Sequence, residues 1–164
     1  MTDFVSAFHP KVVMFRDLPK PAKMAVIWWM VVDLEDTVWE RSDYIKAVPE
    51  LDHRYQGLMK MAVKSSLASY DWKYGKTKWG IATIPIQVFK DGIAAITGGS
   101  FDNYHGAYCL IHKGIEHTLP RHPKTNRWPL IIDPKTGSIT DGYHRFHAYV
   151  DQGAKKIGCV WLVE

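Results

Sequence analysis

A glycine sits where a predicted strand gives way to a predicted helix, in Ile139-Thr140-Asp141-Gly142-Tyr143-His144-Arg145-Phe146-His147-Ala148. The first turn of a helix leaves backbone N–H groups without intrahelical partners and carries partial positive charge. A glycine at that point lets a phosphate approach the chain closely, which makes the junction an anion site. Arg145, one turn in, can fork onto phosphate oxygens. His144 can donate a hydrogen bond or carry a proton. Asp141 can cap the helix or hold a magnesium-bound water. The candidate cofactor-binding residues are therefore Gly142, Tyr143, His144 and Arg145. The candidate catalytic residues are Asp141, His144 and Arg145. The same pattern has a plain structural reading, with Asp141 as a cap, Gly142 easing a turn and Arg145 on the surface.

Asp133 and Asp141 are the carboxylates nearest this junction, and a divalent ion held mainly by nucleotide phosphates needs only one or two. Transition-metal ligation is less favoured. His112, His117 and His122 are five apart, which spreads them over different helix faces. His144 and His147 are three apart and can face one way, as a polar pair beside a phosphate site. The two cysteines, Cys109 and Cys159, form no CxxC pair and read as buried, reduced thiols. His112 is the one basic group close to Cys109 in sequence, and no nucleophile arrangement stands out. The formal net charge is +4, which permits a phosphate-bearing partner without demanding one. Lys73, Lys76 and Lys78 alternate with Trp72, Tyr74 and Trp79. With Arg121, Lys124 and Arg127 they are candidates for a nucleic-acid track. The competing reading is a solvated turn whose aromatics pack inward.

These groups need a scaffold. A chain of 164 residues, 46% apolar, 23% charged and 13% aromatic, predicts one folded domain and excludes dominant disorder. The longest apolar run, residues 25–32, is far shorter than the ~20 residues a membrane span needs. The N-terminus lacks the basic start and longer apolar stretch of a signal peptide, so a cytoplasmic location is expected. Residues 4–8 and 12–15 read as an N-terminal strand or extended arm. Prolines 19 and 21 open a helix over residues 22–33, apolar nearly all round, which is either buried or docks a partner through Trp28 and Trp29. A second helical stretch runs from 49 to about 70. Residues 79–89 and 93–97, split by Asp91-Gly92, read as two strands of a hairpin. A helix follows over 103–118, then a basic loop, a strand at 129–133, a turn at 134–137, a returning strand at 138–140, a helix over 143–152 and a strand at 157–163. The mixture predicts an α+β (mixed α/β) fold. Residues 1–78 form a mainly helical extension packed on a core of residues 79–164.

The stretch PLIIDPKTGSITDGYHRFHAYVDQGAKKIGCVWLV, residues 129–163, resembles the ParB/sulfiredoxin superfamily. Gly142-Tyr143-His144-Arg145-Phe146-His147-Ala148 fits its GxxRxxA box, and a looser similarity reaches back to about Ile84. The resemblance implies a small mixed sheet with flanking helices, and ATP or another nucleoside triphosphate, with Mg2+, resting on the helix start. Tyr143 stands where sulfiredoxins carry their catalytic cysteine, so sulfiredoxin activity is not expected. Partition proteins continue into a second phosphate motif and a DNA-reading domain; neither is read in these residues, so DNA-site binding of that kind is not expected. In size, charge and N-terminal helices it is similar to the plasmid fertility-inhibition proteins related to Osa, which implies ATPase and DNase activity that interferes with DNA transfer. Two alternatives are a non-catalytic inhibitor that docks a transfer or secretion component, and a small-molecule kinase of the free-serine-kinase type.

Overall fold

A computed structural model of the chain describes residues 3–29, 76–111 and 128–163. These residues adopt an α+β fold around one five-stranded mixed sheet. The strands are β1 (Lys11–Met14), β2 (Lys78–Pro85), β3 (Leu130–Ile132), β4 (Ile139–Asp141) and β5 (Lys156–Val163), in the order β1-β2-β5-β3-β4. β2 and β5 pair antiparallel along their whole length, from Lys78 opposite Val163 to Pro85 opposite Lys156. β3 runs parallel to β5, and β4 returns antiparallel on β3. Four helices accompany the sheet: α1 (Lys20–Trp28), α2 (Ile86–Thr97), α3 (Phe101–Ile111) and α4 (Tyr143–Asp151).

Strand alternation divides the sheet into two faces. Ile84, Leu130, Ile132, Ile157, Cys159 and Trp161 join Ile86, Phe89, Phe101 and Phe146 from the helices in the main core. Ile131 and Val160 fall between these positions and are also buried, as are Phe15, Trp79 and the α1 residues Ala22, Met24, Ala25 and Val26. The apolar surface of α1 at these four residues is therefore used within the molecule. One close approach in the main core depends on a missing side chain. A Cβ on Gly80 would lie 2.1–2.4 Å from the Trp161 indole, its cross-strand partner.

The structure departs from expectation in two places. Residues 86–97 form one helix, not the second half of a hairpin. Pro85 closes β2, because it has no N–H to continue the ladder. Beyond it Ile86 and Phe89 are buried while Gln87 and Asp91 are exposed and hydrogen-bonded to each other at 2.8 Å, which is helical spacing. The β-branched run across residues 81–88 hid that change of period. Residues 4–8 are a 3-10 helix, not a strand. Its Phe4 and Val5 N–H groups donate to Lys135 and Pro134 carbonyls on the β3–β4 turn. The strand expected at residues 12–15 is present as β1, which pairs with β2 from Lys11 opposite Ile81 to Met14 opposite Lys78. The predicted helix at 49–70 lies outside the described residues. Among the described residues, no helix is long and apolar enough to cross a membrane.

Candidate functional site

The predicted strand-to-helix junction is present. β4 ends at Asp141, Gly142 adopts φ +95°, and α4 begins at Tyr143 with no side chain capping it. Asp141 is therefore not the expected helix cap. Its carboxylate lies 3.4 Å from the Arg145 guanidinium instead. Arg145 is not on the surface either; it is 7% exposed. Its Nη2 donates to the Pro129 carbonyl at 3.0 Å, and its guanidinium sits over the Trp128 ring at 5.8 Å. Its Nε has no hydrogen-bond partner among the described residues. Gly142 makes this packing possible, since a Cβ there would meet Arg145 Nη2 at 2.6 Å and Leu130 at 3.0 Å. A buried guanidinium held by a carbonyl and a carboxylate ties β3, β4 and α4 together. The Tyr149 hydroxyl adds a bond to the Trp128 carbonyl at 3.0 Å, and burial pushes its pKa up to about 12.

The other residues in the first turns of α4 turn toward α3. The Tyr143 and Tyr104 hydroxyls are 2.8 Å apart, and burial, reinforced by that bond, raises the Tyr143 pKa. His144 Nδ1 is 2.6 Å from the Tyr108 hydroxyl. His147 follows on the same side, its Nδ1 2.6 Å from His105 Nδ1. The Tyr108 ring stacks on His147 at 3.8 Å, and the near-parallel rings of Phe101, His105 and His147 lie 4.9–6.2 Å from one another. At the far end, His105 Nε2 meets Asp151 Oδ1 at 2.7 Å. Cys109 Sγ lies 3.9 Å from both His105 ring nitrogens. The α3–α4 seam is thus a continuous ladder of tyrosines and histidines.

Asp133 and Asp141 are not brought onto a shared partner. Asp141 pairs with Ile131 in the ladder, so Asp133 lies two residues further along, at the hairpin turn. Its carboxylate accepts from the Lys135 N–H at 2.8 Å and the Thr136 hydroxyl at 3.0 Å. These bonds, the Lys135 backbone first, hold its pKa below the ordinary 3.8. A lowered carboxylate pKa means that the folded state favours the anion. The resulting stability is present above the unfolded value and lost as pH falls through the folded one. In acid-unfolding titrations, Asp133→Asn should be less stable than wild type near neutrality, and the gap should close below about pH 4. A gap that stays constant to lower pH would refute this origin.

Lys76 and Lys78 are exposed at the start of β2. Lys73, Arg121, Lys124 and Arg127 lie outside the described residues, as do His112, His117 and His122. Sequence reasoning missed Tyr104, His105, Tyr108 and Asp151, and it read Cys109 as a buried thiol where the structure leaves it only half-buried. Their signal was present as i, i+4 pairs, His105 with Cys109 and His147 with Asp151, but nothing in one sequence says that the two helices face each other.

No protein-family model, curated protein or solved structure matches the chain.

Proposed function

We propose that the chain binds the phosphates of a nucleoside triphosphate at the start of α4 and cleaves phosphate esters there in the presence of magnesium. The observation that carries this reading is the uncapped N-terminus of α4 behind the left-handed Gly142. Its first N–H groups and the helix dipole favour an anion. The buried Arg145 adds a fixed positive charge at the same junction. It acts as a positioning residue, because its Nη2 is already engaged with Pro129 and Asp141. His144, oriented through Nδ1 by Tyr108, is the group that moves a proton. A magnesium nucleotide bound here would take most of the ion's ligands from phosphate oxygens, since Asp133 and Asp141 both have internal partners. The exposed Lys76 and Lys78 suit a phosphodiester backbone as a second substrate. In keeping with the resemblance of residues 129–163 to ParB/sulfiredoxin proteins, the proposed setting is cytoplasmic interference with the transfer of plasmid DNA.

The test is phosphate release from ATP, CTP, GTP and UTP with magnesium, by wild type and His144→Gln. One nucleotide should be turned over, and His144→Gln should lower kcat by about 10²–10⁴-fold with little change in melting temperature. No release and no thermal shift with any of the four would overturn the reading.

A further inference from the structure

We propose that His105, Cys109 and Asp151 form a zinc-binding site at the open end of the α3–α4 seam, with His147 orienting His105 from behind. Each of the three offers a donor atom of the kind zinc takes, and these atoms all lie within 4.8 Å of one another. His105 and Cys109 are one turn apart on α3. Asp151 comes from the last turn of α4, so an ion would link the two helices. Zn–N bonds of about 2.0–2.1 Å and a Zn–S bond of about 2.3 Å hold tetrahedral ligands roughly 3.3–3.6 Å apart. The 3.9 Å between Cys109 Sγ and His105 Nε2 is already close to that spacing. The 2.7 Å contact of His105 Nε2 with Asp151 would open by less than an ångström as the ion enters.

The strongest geometric support is the partner of the other ring nitrogen. A metal-binding histidine donates its second N–H to a fixed acceptor, which sets its tautomer. His105 Nδ1 is 2.6 Å from His147 Nδ1, and His147 is 2% exposed and stacked on Tyr108. Without metal, His105 Nε2–H donates to Asp151 and Nδ1 accepts from His147. On metal binding His105 releases its Nε2 proton to solvent and takes the Nδ1 proton of His147 onto its own Nδ1, and His147 takes up one proton on Nε2, so both rings stay neutral and the His105 Nδ1–H points at His147 Nδ1. Nε2 of His105 is then free for the ion, and the Cys109 thiol proton leaves to solvent. Nitrogen, sulfur and one carboxylate favour zinc over magnesium or calcium. Asp151 is exposed, with 62% of its side chain accessible, so a fourth position is reachable by water or a substrate atom. Three protein ligands with one open position are the pattern of a reactive rather than a purely structural zinc.

The site stands apart from the phosphate reading, since it needs neither Gly142 nor His144. The experiment is titration of the reduced full-length protein with cobalt(II), a coloured substitute for zinc. One equivalent should give d–d bands and a near-ultraviolet thiolate-to-cobalt charge-transfer band, both abolished by zinc. Cys109→Ser should lose the charge-transfer band. Asp151→Asn, at an exposed position that leaves the fold intact, should retain the band and weaken binding about tenfold or more. His147→Gln should weaken it about 10–100-fold with the band unmoved. Absence of a thiolate band at saturating cobalt would overturn the proposal, and so would a band that survives Cys109→Ser. Unchanged cobalt affinity in Asp151→Asn would show a hydrogen-bonded His–His–Asp relay instead and would overturn it equally.

Discussion

Gly142→Ala is expected to lower the stability of the protein by about 3–5 kcal/mol. Two effects add. A non-glycine residue at φ +95° is strained by roughly 1–3 kcal/mol. The new methyl also falls 2.6 Å from Arg145 Nη2 and 2.9 Å from its Cζ, so the guanidinium must leave its pocket. That strands the Asp141 carboxylate and the Pro129 carbonyl; breaking a fully buried pair from one side costs about 3–5 kcal/mol, and about 2 kcal/mol is expected here, where the Asp141 side chain is 15% exposed and the displaced guanidinium can reach water. For a chain of this size the melting temperature should fall by on the order of 10 °C. Gly92→Ala is the control. A Cβ there meets nothing within 4 Å, and alanine favours a helix interior over glycine, so stability should hold or rise by about 0.5–1 kcal/mol. Equal melting temperatures for the two variants would disprove the Gly142–Arg145 arrangement. The same reasoning makes Arg145→Ala a poor probe of activity, since it would unsettle the junction whatever the junction binds.

The second large effect is expected at Gly80. Its alanine variant places a methyl inside the Trp161 indole, 2.1 Å from Cε2 and 2.2 Å from Nε1. Trp161 is 4% exposed in the main core. Either β2 and β5 separate locally or the indole is expelled, at about 3–5 kcal/mol, the scale of losing a buried aromatic. A double-mutant cycle isolates the cause. Gly80→Ala should be severe alone and nearly harmless on a Trp161→Leu background, giving a coupling of about 2 kcal/mol or more. Additive effects would mean that the glycine matters for another reason.

Patterning along the chain gave good access to the elements around the candidate site. The turn at residues 134–137, the returning strand, the glycine and the helix behind it all lie within a span where each element follows the last closely. Local chemistry alone sets such units. The helix at residues 86–97 was not legible, because Ile86 and Val88 extend the β-branched run of β2 and only Pro85 marks the boundary. Burial was legible in part. Trp79 is buried, as the inward-packing reading of its aromatic stretch expects, whereas the burial of Arg145 was not legible, because an arginine is buried only when tertiary structure supplies its acceptors. Those acceptors come from residue 129, just ahead of β3, and residue 141, at the end of β4. The α3–α4 ladder was invisible for a related reason. Each helix shows its polar aromatic face in sequence, but the match between His105 and His147, 2.6 Å apart in space, is a property of packing.

The pairing of β2 with β5 has a consequence for synthesis of the chain. β2 ends at Pro85 and its full-length partner ends at Val163. At ribosomal rates of ~5–20 residues per second, β2 waits on the order of 10 s before β5 exists to pair with it. During that interval β1 is the one sheet neighbour of β2 already made. β1 covers Lys78–Ile81 and leaves Ala82–Pro85 without a strand partner. An early two-stranded ribbon is marginal by itself, so the nascent chain carries an open, apolar edge until its last strand emerges. Loop closure over that distance makes the sheet a late and cooperative event rather than one that grows from the N-terminus. Truncation within β5 would therefore abolish the sheet as a whole and send the unfinished chain toward aggregation or chaperone capture.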